Sequence, residues 1–213
     1  MSRLLNLTQC PVFKETGDAK VTTDYGKDIT DYPTEGKTGD HWGLDIVRST
    51  GDNNSKTATI VAIESGTVYA QRKYVKDGEK SPSEGNCVYI LHDDGVTITK
   101  YYHLKEGTVP DKIADNVRVE KGEVLGYMGN TGYSFGAHLH FQVEKLDKKP
   151  EKITPKLKGK TVDPEPYLTG EVKINPNEGK YGVLMVYDNE TDAREVALAL
   201  KVLGLNPILT EVE

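Results

Sequence analysis

The sequence predicts a mainly β protein: an antiparallel β domain followed by a small βαβ unit near the C-terminal end. Three observations predict it. Between residue 20 and about 146, short runs rich in Val, Ile, Thr and Tyr alternate with clusters of Gly, Asp, Asn and Pro. From 145 to 170 the composition shifts to lysine and proline. Beyond that spacer the pattern becomes strand, helix, strand.

In chain order, TATIVAI (57–63), GTVYAQRKYV (66–75), NCVYILH (86–92), VTITKYYHL (96–104) and AHLHFQVEKL (137–146) read as strands. Asp93, Asp94 and Gly95 supply the turn between the third and fourth. IVRSTGDNNSK (46–56) is polar and turn-like, and with KDGEKSPSEGN (76–86) it is expected to wall a groove. Gly122, Gly126, Gly129, Gly132 and Gly136 are not followed by a helix start, nor by Lys-Ser or Lys-Thr. They mark tight turns and close backbone approaches rather than a phosphate-binding loop. The spacer 145–170 carries four prolines and reads as an irregular tether or an ordered surface strap. YGVLMVYD (181–188) and LNPILTEV (205–212) read as strands around a helix that Asn189 caps and Gly204 ends, with Ala193, Val196, Ala197, Leu200 and Leu203 as its apolar stripe. The expected organisation is a domain over 1–150, a linker over 151–170 and the βαβ unit over 171–213.

Composition narrows the classes of function. The 213 residues are 36% hydrophobic and 28% charged, without a long apolar run, so no membrane insertion is expected. The first residues, MSRLLNLTQCPVF, lack the apolar stretch of a secretory signal. Cys10 and Cys87 read as two reduced thiols. A net charge of −6 argues against nucleic acid, and the lysine-rich stretch Lys145 to Lys160 reads as a solvated linker.

The five histidines, His41, His92, His103, His138 and His140, all fall in the β-rich part. Residues i and i+2 of a strand share a face, so His138 and His140 project together, with Leu139 and Phe141 toward the core. In GDHWGLDI the four-residue spacing keeps His41 and Asp45 on one face of an extended segment or a helical turn, and Gly43 disfavours the helix. Imidazole nitrogen and carboxylate oxygen coordinate zinc at about 2.0 to 2.2 Å, and a catalytic zinc takes three protein ligands and keeps a fourth position for water. His41, Asp45 and one of the paired histidines meet that count. His92 beside the turn reads as structural. Alternation places Tyr101 on the face of His103 and Tyr102 on the other, which makes Tyr101 a candidate to line a cleft.

HWGLD, then YYHL, then GEVLGYMGNTGYSFGAHLHF resemble, in content and order, the lysostaphin-type (LytM-like) zinc metalloendopeptidases of bacterial cell walls, over roughly residues 20 to 146. The resemblance implies a β domain of the duplicated hybrid motif type. It makes His41, Asp45 and His140 the ligands of a zinc ion, and gives His103 and His138 the proton chemistry beside it. It implies hydrolysis of peptide bonds in peptidoglycan stems or crossbridges, leading to wall lysis. One departure stands out: members commonly carry Glu directly after HLHF, where this chain has Gln142.

Without an export signal in the sequence, the resemblance suggests a phage endolysin, made in a bacterial host's cytoplasm and acting on the wall after release, or a lysin carried on a phage particle. The alternatives are a catalytically inactive peptidoglycan-binding or regulatory module and a phage tail component. The βαβ unit faintly resembles a peptidoglycan-binding repeat but spans about half of one. It is too small to enclose a core alone, and is expected to dock on a second copy, forming a homodimer, or on a wall component.

Overall fold

Every pairing between the strands named below is antiparallel. In the computed structural model the described residues are 2–27, 41–49 and 58–174. Residues 28–40 and 50–57, and the expected βαβ unit from 175 onward, lie outside them. Among the described residues the strands are β1 Arg3–Leu4, β2 Ala19–Thr23, β3 Leu44–Arg48, β4 Thr59–Val61, β5 Gly66–Arg72, β6 Asn86–His92, β7 Thr97–Leu104, β8 Arg118–Val119, β9 Val124–Tyr127, β10 Leu139–Lys145 and β11 Lys160–Val162, and one short helix, α1, spans Glu165–Leu168. The mainly β, antiparallel expectation is borne out.

The large sheet runs β1-β2-β3-β10-β7-β6-β5-β8, with β11 added alongside β10, while β4 and β9 pair separately. β10 is flanked by β7 on one side and, on the other, by β3 along its first half and β11 along its second. Its side chains alternate: Leu139, Phe141 and Val143 enter the main core with Ile46, Ile60, Tyr101, Leu104 and Leu125. His140, Gln142 and Glu144 point to the opposite face. Burying each large apolar side chain contributes roughly 1.5 to 3 kcal/mol, and a one-residue slip of β10 would exchange Phe141 for His140, so the core fixes the register on which the site depends.

One expectation needs correction. Residues 46–48, read as part of a turn-like segment, complete β3, because Ile46 and Val47 are buried between β2 and β10. Met1–Ile174 forms one compact unit and Asn175–Glu213 a second. The spacer belongs to the first because β11 pairs with β10, Leu146, Ile153 and Leu157 cover Tyr69, Leu91 and Ile98, and Leu168 and Ile174 join the main core. Of the two readings of 145–170, the ordered strap describes residues up to 170. Cys10 and Cys87 are both buried and unpaired.

The strap is tied down at a buried ion pair. Lys100 Nζ lies 2.5 Å from Glu144 Oε1, with side chains 8% and 0% exposed. Gln142 Nε2 donates to the same oxygen at 2.7 Å, and the Gly159 amide donates to Glu144 Oε2 at 2.8 Å.

Candidate metal centre and active site

Strand register explains how residues 95 and 99 positions apart converge. His140 sits directly opposite Asp45 across the β10–β3 pair and directly opposite Tyr102 across β10–β7, so three neighbouring strands present Asp45, His140 and Tyr102 in one cross-strand row. His41 reaches this row from the segment entering β3. Its amide donates to the Lys27 carbonyl, its own carbonyl accepts from Gly26, and its Nδ1–H donates to the Asp24 carbonyl at 2.9 Å. Gly43 makes the approach feasible, since a Cβ there would stand 2.6 Å from the Phe141 carbonyl oxygen and 2.7 Å from His140 Nε2.

The result is a closed triangle. His41 Nε2 lies 3.0 Å from Asp45 Oδ1 and 3.0 Å from His140 Nδ1, and His140 Nδ1 lies 2.9 Å from Asp45 Oδ1. Hydrogen bonding alone serves this triangle badly. With Nδ1 of His41 committed to a carbonyl, the neutral ring offers a bare Nε2, and two imidazole nitrogens facing one another and one carboxylate oxygen suit a shared cation better than a shared proton. Ligands held tetrahedrally at about 2.1 Å would stand roughly 3.4 Å apart, close to the spacing seen. His41, Asp45 and His140 are all buried. Burial alone would raise the Asp45 carboxyl, but the adjoining imidazoles of His138, His140 and His41 hold it well below the ordinary carboxylate range.

His138 and His103 flank this triangle, their rings 4.7 Å apart. His138 Nε2 is 3.4 Å from Asp45 Oδ1, so His138 and His140 do share a face. Each ring's Nδ1–H is used by the loop 129–137: His103 donates to the Thr131 carbonyl at 2.8 Å and His138 to the Gly136 carbonyl at 2.7 Å. In the neutral form both present Nε2 as a lone pair. Burial, then the neighbouring His138 and His140, push the His103 imidazole down to about 3. For His138 burial works in the same downward direction, but the Asp45 carboxylate outweighs it and the imidazole sits above its ordinary value.

Placing Tyr101 on the His103 face fails, for a local reason. His103 has φ +62°, outside the strand region, so side-chain alternation breaks there. Tyr102 and His103 therefore both face the triangle, and Tyr101 and Leu104 both enter the core. Tyr101 is fully buried, and its hydroxyl accepts from the Ile63 amide at 2.9 Å. Tyr102 stacks on His140 instead. His92 lies away from the triangle, with Nδ1–H donating to the Ser65 carbonyl at 3.0 Å and Nε2 accepting from Thr99 Oγ1 at 2.8 Å.

Sequence reading missed Tyr102, Thr131 and Ser134. Buried Thr131 accepts from Asn86 N and donates to the Leu104 carbonyl through Oγ1, while its own carbonyl orients His103. Buried Ser134 stands 3.3 Å from His138 Nδ1 and 2.9 Å from the Gly136 carbonyl oxygen. The available signal was the run NTGYS just before AHLH, whose small polar residues suit a loop that satisfies backbone groups around a site.

The profile of peptidase family M23 matches residues 39–164, which include all three corners of the triangle and both flanking histidines. The chain belongs to peptidase family M23. It resembles the lysostaphin-type members: it is 31% identical over 166 residues to lysostaphin of Staphylococcus simulans, a match covering 72% of this chain and 29% of that protein. It is 32% identical over 164 residues to the glycyl-glycine endopeptidase ALE-1 of Staphylococcus capitis, covering 72% and 38%. A shorter match of 71 residues at 38% identity links it to the peptidoglycan DD-endopeptidase ShyC of Vibrio cholerae, over 32% of this chain and 15% of that one. Among solved structures, the catalytic domain of lysostaphin from Staphylococcus simulans aligns with a TM-score of 0.47 at 26% identity, over 69% of this chain and 90% of that domain. This M23 chain therefore spans well under half the length of those curated relatives.

Proposed function

We propose that the chain is a zinc-dependent endopeptidase that hydrolyses an amide bond in the peptide stems or crossbridges of bacterial peptidoglycan and so lyses the wall. The observation that carries this reading is the buried triangle of His41 Nε2, Asp45 Oδ1 and His140 Nδ1, flanked by two imidazoles whose Nδ1 atoms are already committed. A zinc ion held by these three would polarise the scissile carbonyl and make a water nucleophilic near neutral pH.

The chain's own residues do the rest. Asp45 and the two ligand histidines set the position of the reacting centre, with His41 oriented by the Asp24 carbonyl and His140 by the ring of Tyr102. His103 and His138 each offer Nε2 for a proton, one to be taken from the attacking water and one to be returned to the leaving amine. The names of the relatives cover both glycyl-glycine and DD-endopeptidases, and mass spectrometry of fragments from walls of several crossbridge types identifies the bond cut here.

The test measures zinc stoichiometry together with turbidity loss of purified walls, for the wild type and His140→Ala. One zinc per chain and lysis that both vanish in the variant are expected. Full zinc occupancy with no lysis of any wall would sink the enzyme reading and favour a catalytically inactive wall-binding module.

A further inference from the structure

The lysine-rich strap does not behave as the solvated linker its composition suggests. Between Lys145 and Lys160 it carries seven lysines and two acidic residues, in a chain whose net charge is −6. Leu146, Ile153 and Leu157 face inward onto Tyr69, Leu91 and Ile98, the Leu157 carbonyl accepts from the Tyr69 hydroxyl at 3.3 Å, and the Gly159 amide is held by Glu144. With its apolar residues committed to the sheet, the strap displays Lys148, Lys149, Lys152, Lys156, Lys158 and Lys160 to solvent. Among the described residues none of these six takes part in an ion pair, whereas Lys145 lies 3.5 Å from Asp94. Positive charge is thus concentrated along a packed strap in a chain whose net charge is −6. The band reaches the rim of the metal centre, because Lys158 Nζ sits 5.1 Å over the ring of Trp42, the residue next to His41.

We propose that this lysine-lined strap docks a phosphodiester polymer interwoven with peptidoglycan, a chain of repeated alditol phosphates, and holds the site against the wall. The proposal rests on the endopeptidase reading for its location. Its chemistry rests on the strap. Lysine ammonium groups are compact point charges without the fork of arginine, so they suit a polymer that repeats one anionic charge per unit better than a single anion bound in a shaped pocket. Fixing the lysines on a packed strap also spares much of the entropy that a free linker would lose on binding.

The test uses the full chain. Its affinity for soluble poly(glycerol phosphate) is measured, as is its cosedimentation with walls before and after chemical removal of phosphate polymers. The variant Lys148→Gln, Lys152→Gln, Lys156→Gln is compared with the matching triple arginine variant. Expected are tight binding at low salt, a loss of at least about tenfold in affinity both on raising salt severalfold and in the glutamine variant, and retention in the arginine variant. Hydrolysis of soluble wall peptides is expected to be unchanged in all of them. Equal retention of the glutamine variant on phosphate-bearing walls, or wild-type binding that survives phosphate removal, overturns the proposal. So does equal affinity for a polycarboxylate such as polyglutamate. Failure of the wild type to cleave soluble peptides counts against the endopeptidase reading and leaves the binding comparison standing.

Discussion

Tyr102 lies flat against His140, the ring centroids 5.0 Å apart and the planes 9° from parallel. The pair is built by register, since the two residues face each other across β7 and β10. The stack restrains the imidazole about its long axis, which is the freedom that would carry Nδ1 out of the triangle. Tyr102→Ala is therefore expected to weaken zinc binding about 10- to 100-fold, and Tyr102→Phe to keep it near the wild-type value. Competition titration with a chromophoric chelator measures both.

Gly43 is required by the space around it rather than by the chemistry of the triangle. Gly43→Ala drives a Cβ into the Phe141 carbonyl and the His140 ring. A loss of about 1 to 3 kcal/mol in unfolding free energy is expected, together with reduced zinc affinity. Urea denaturation with and without zinc separates the two effects.

The pair Lys100–Glu144 is buried at both ends and shares its carboxylate with Gln142 and Gly159. Glu144→Ala leaves a buried ammonium uncompensated and is expected to cost about 3 to 5 kcal/mol. Lys100→Met combined with Glu144→Leu is expected to cost much less than the sum of the single changes, which a double-mutant cycle in urea reads directly.

His92 supplies a pH dependence away from the triangle of His41, Asp45 and His140. Its burial lowers the imidazole below its ordinary 6.5, and protonation of Nε2 would break the bond accepted from Thr99. Folded, the ring stays neutral where the unfolded chain takes up a proton, so the unfolded state binds more protons as pH falls. The contribution to stability is complete above about 6.5 and is lost as pH drops from there toward the folded value. The stability difference between wild type and His92→Gln should shrink from pH 8 to pH 5. A difference that stays constant would refute the assignment.

Ser134 supports His138 without touching the triangle. Ser134→Ala is expected to lower kcat about tenfold while KM changes little, because on the proposed reading His138 carries a proton in the reaction step and does not bind substrate. Steady-state kinetics on a soluble wall peptide measures the split.

Much was legible in the sequence because period-2 alternation is a local property. It put His138 and His140 on one face and Phe141 in the core, and strands read at 86–92 and 96–104 match β6 and β7 closely. The spacing in HWGLD and the poor helix propensity of Gly43 were likewise local, and the ordered motifs pointed to the family. What failed was local reasoning applied where a tertiary constraint prevailed. The positive φ of His103 reversed the faces of Tyr101 and Tyr102, and residues 46–48 of a polar-looking segment became strand because β2 and β10 lie on either side of them.

By itself, then, the sequence determined the β class, the motifs that mark an M23 peptidase, and which side chains along each strand share a face. Only the tertiary structure decided that Asp45, His140 and Tyr102 form one row, that the loop 129–137 commits Nδ1 of both His103 and His138, and that the lysine-rich spacer is a fixed strap. The physical reason is that these depend on register between strands distant in the chain and on which buried groups must find partners, and neither is encoded in any short window of residues.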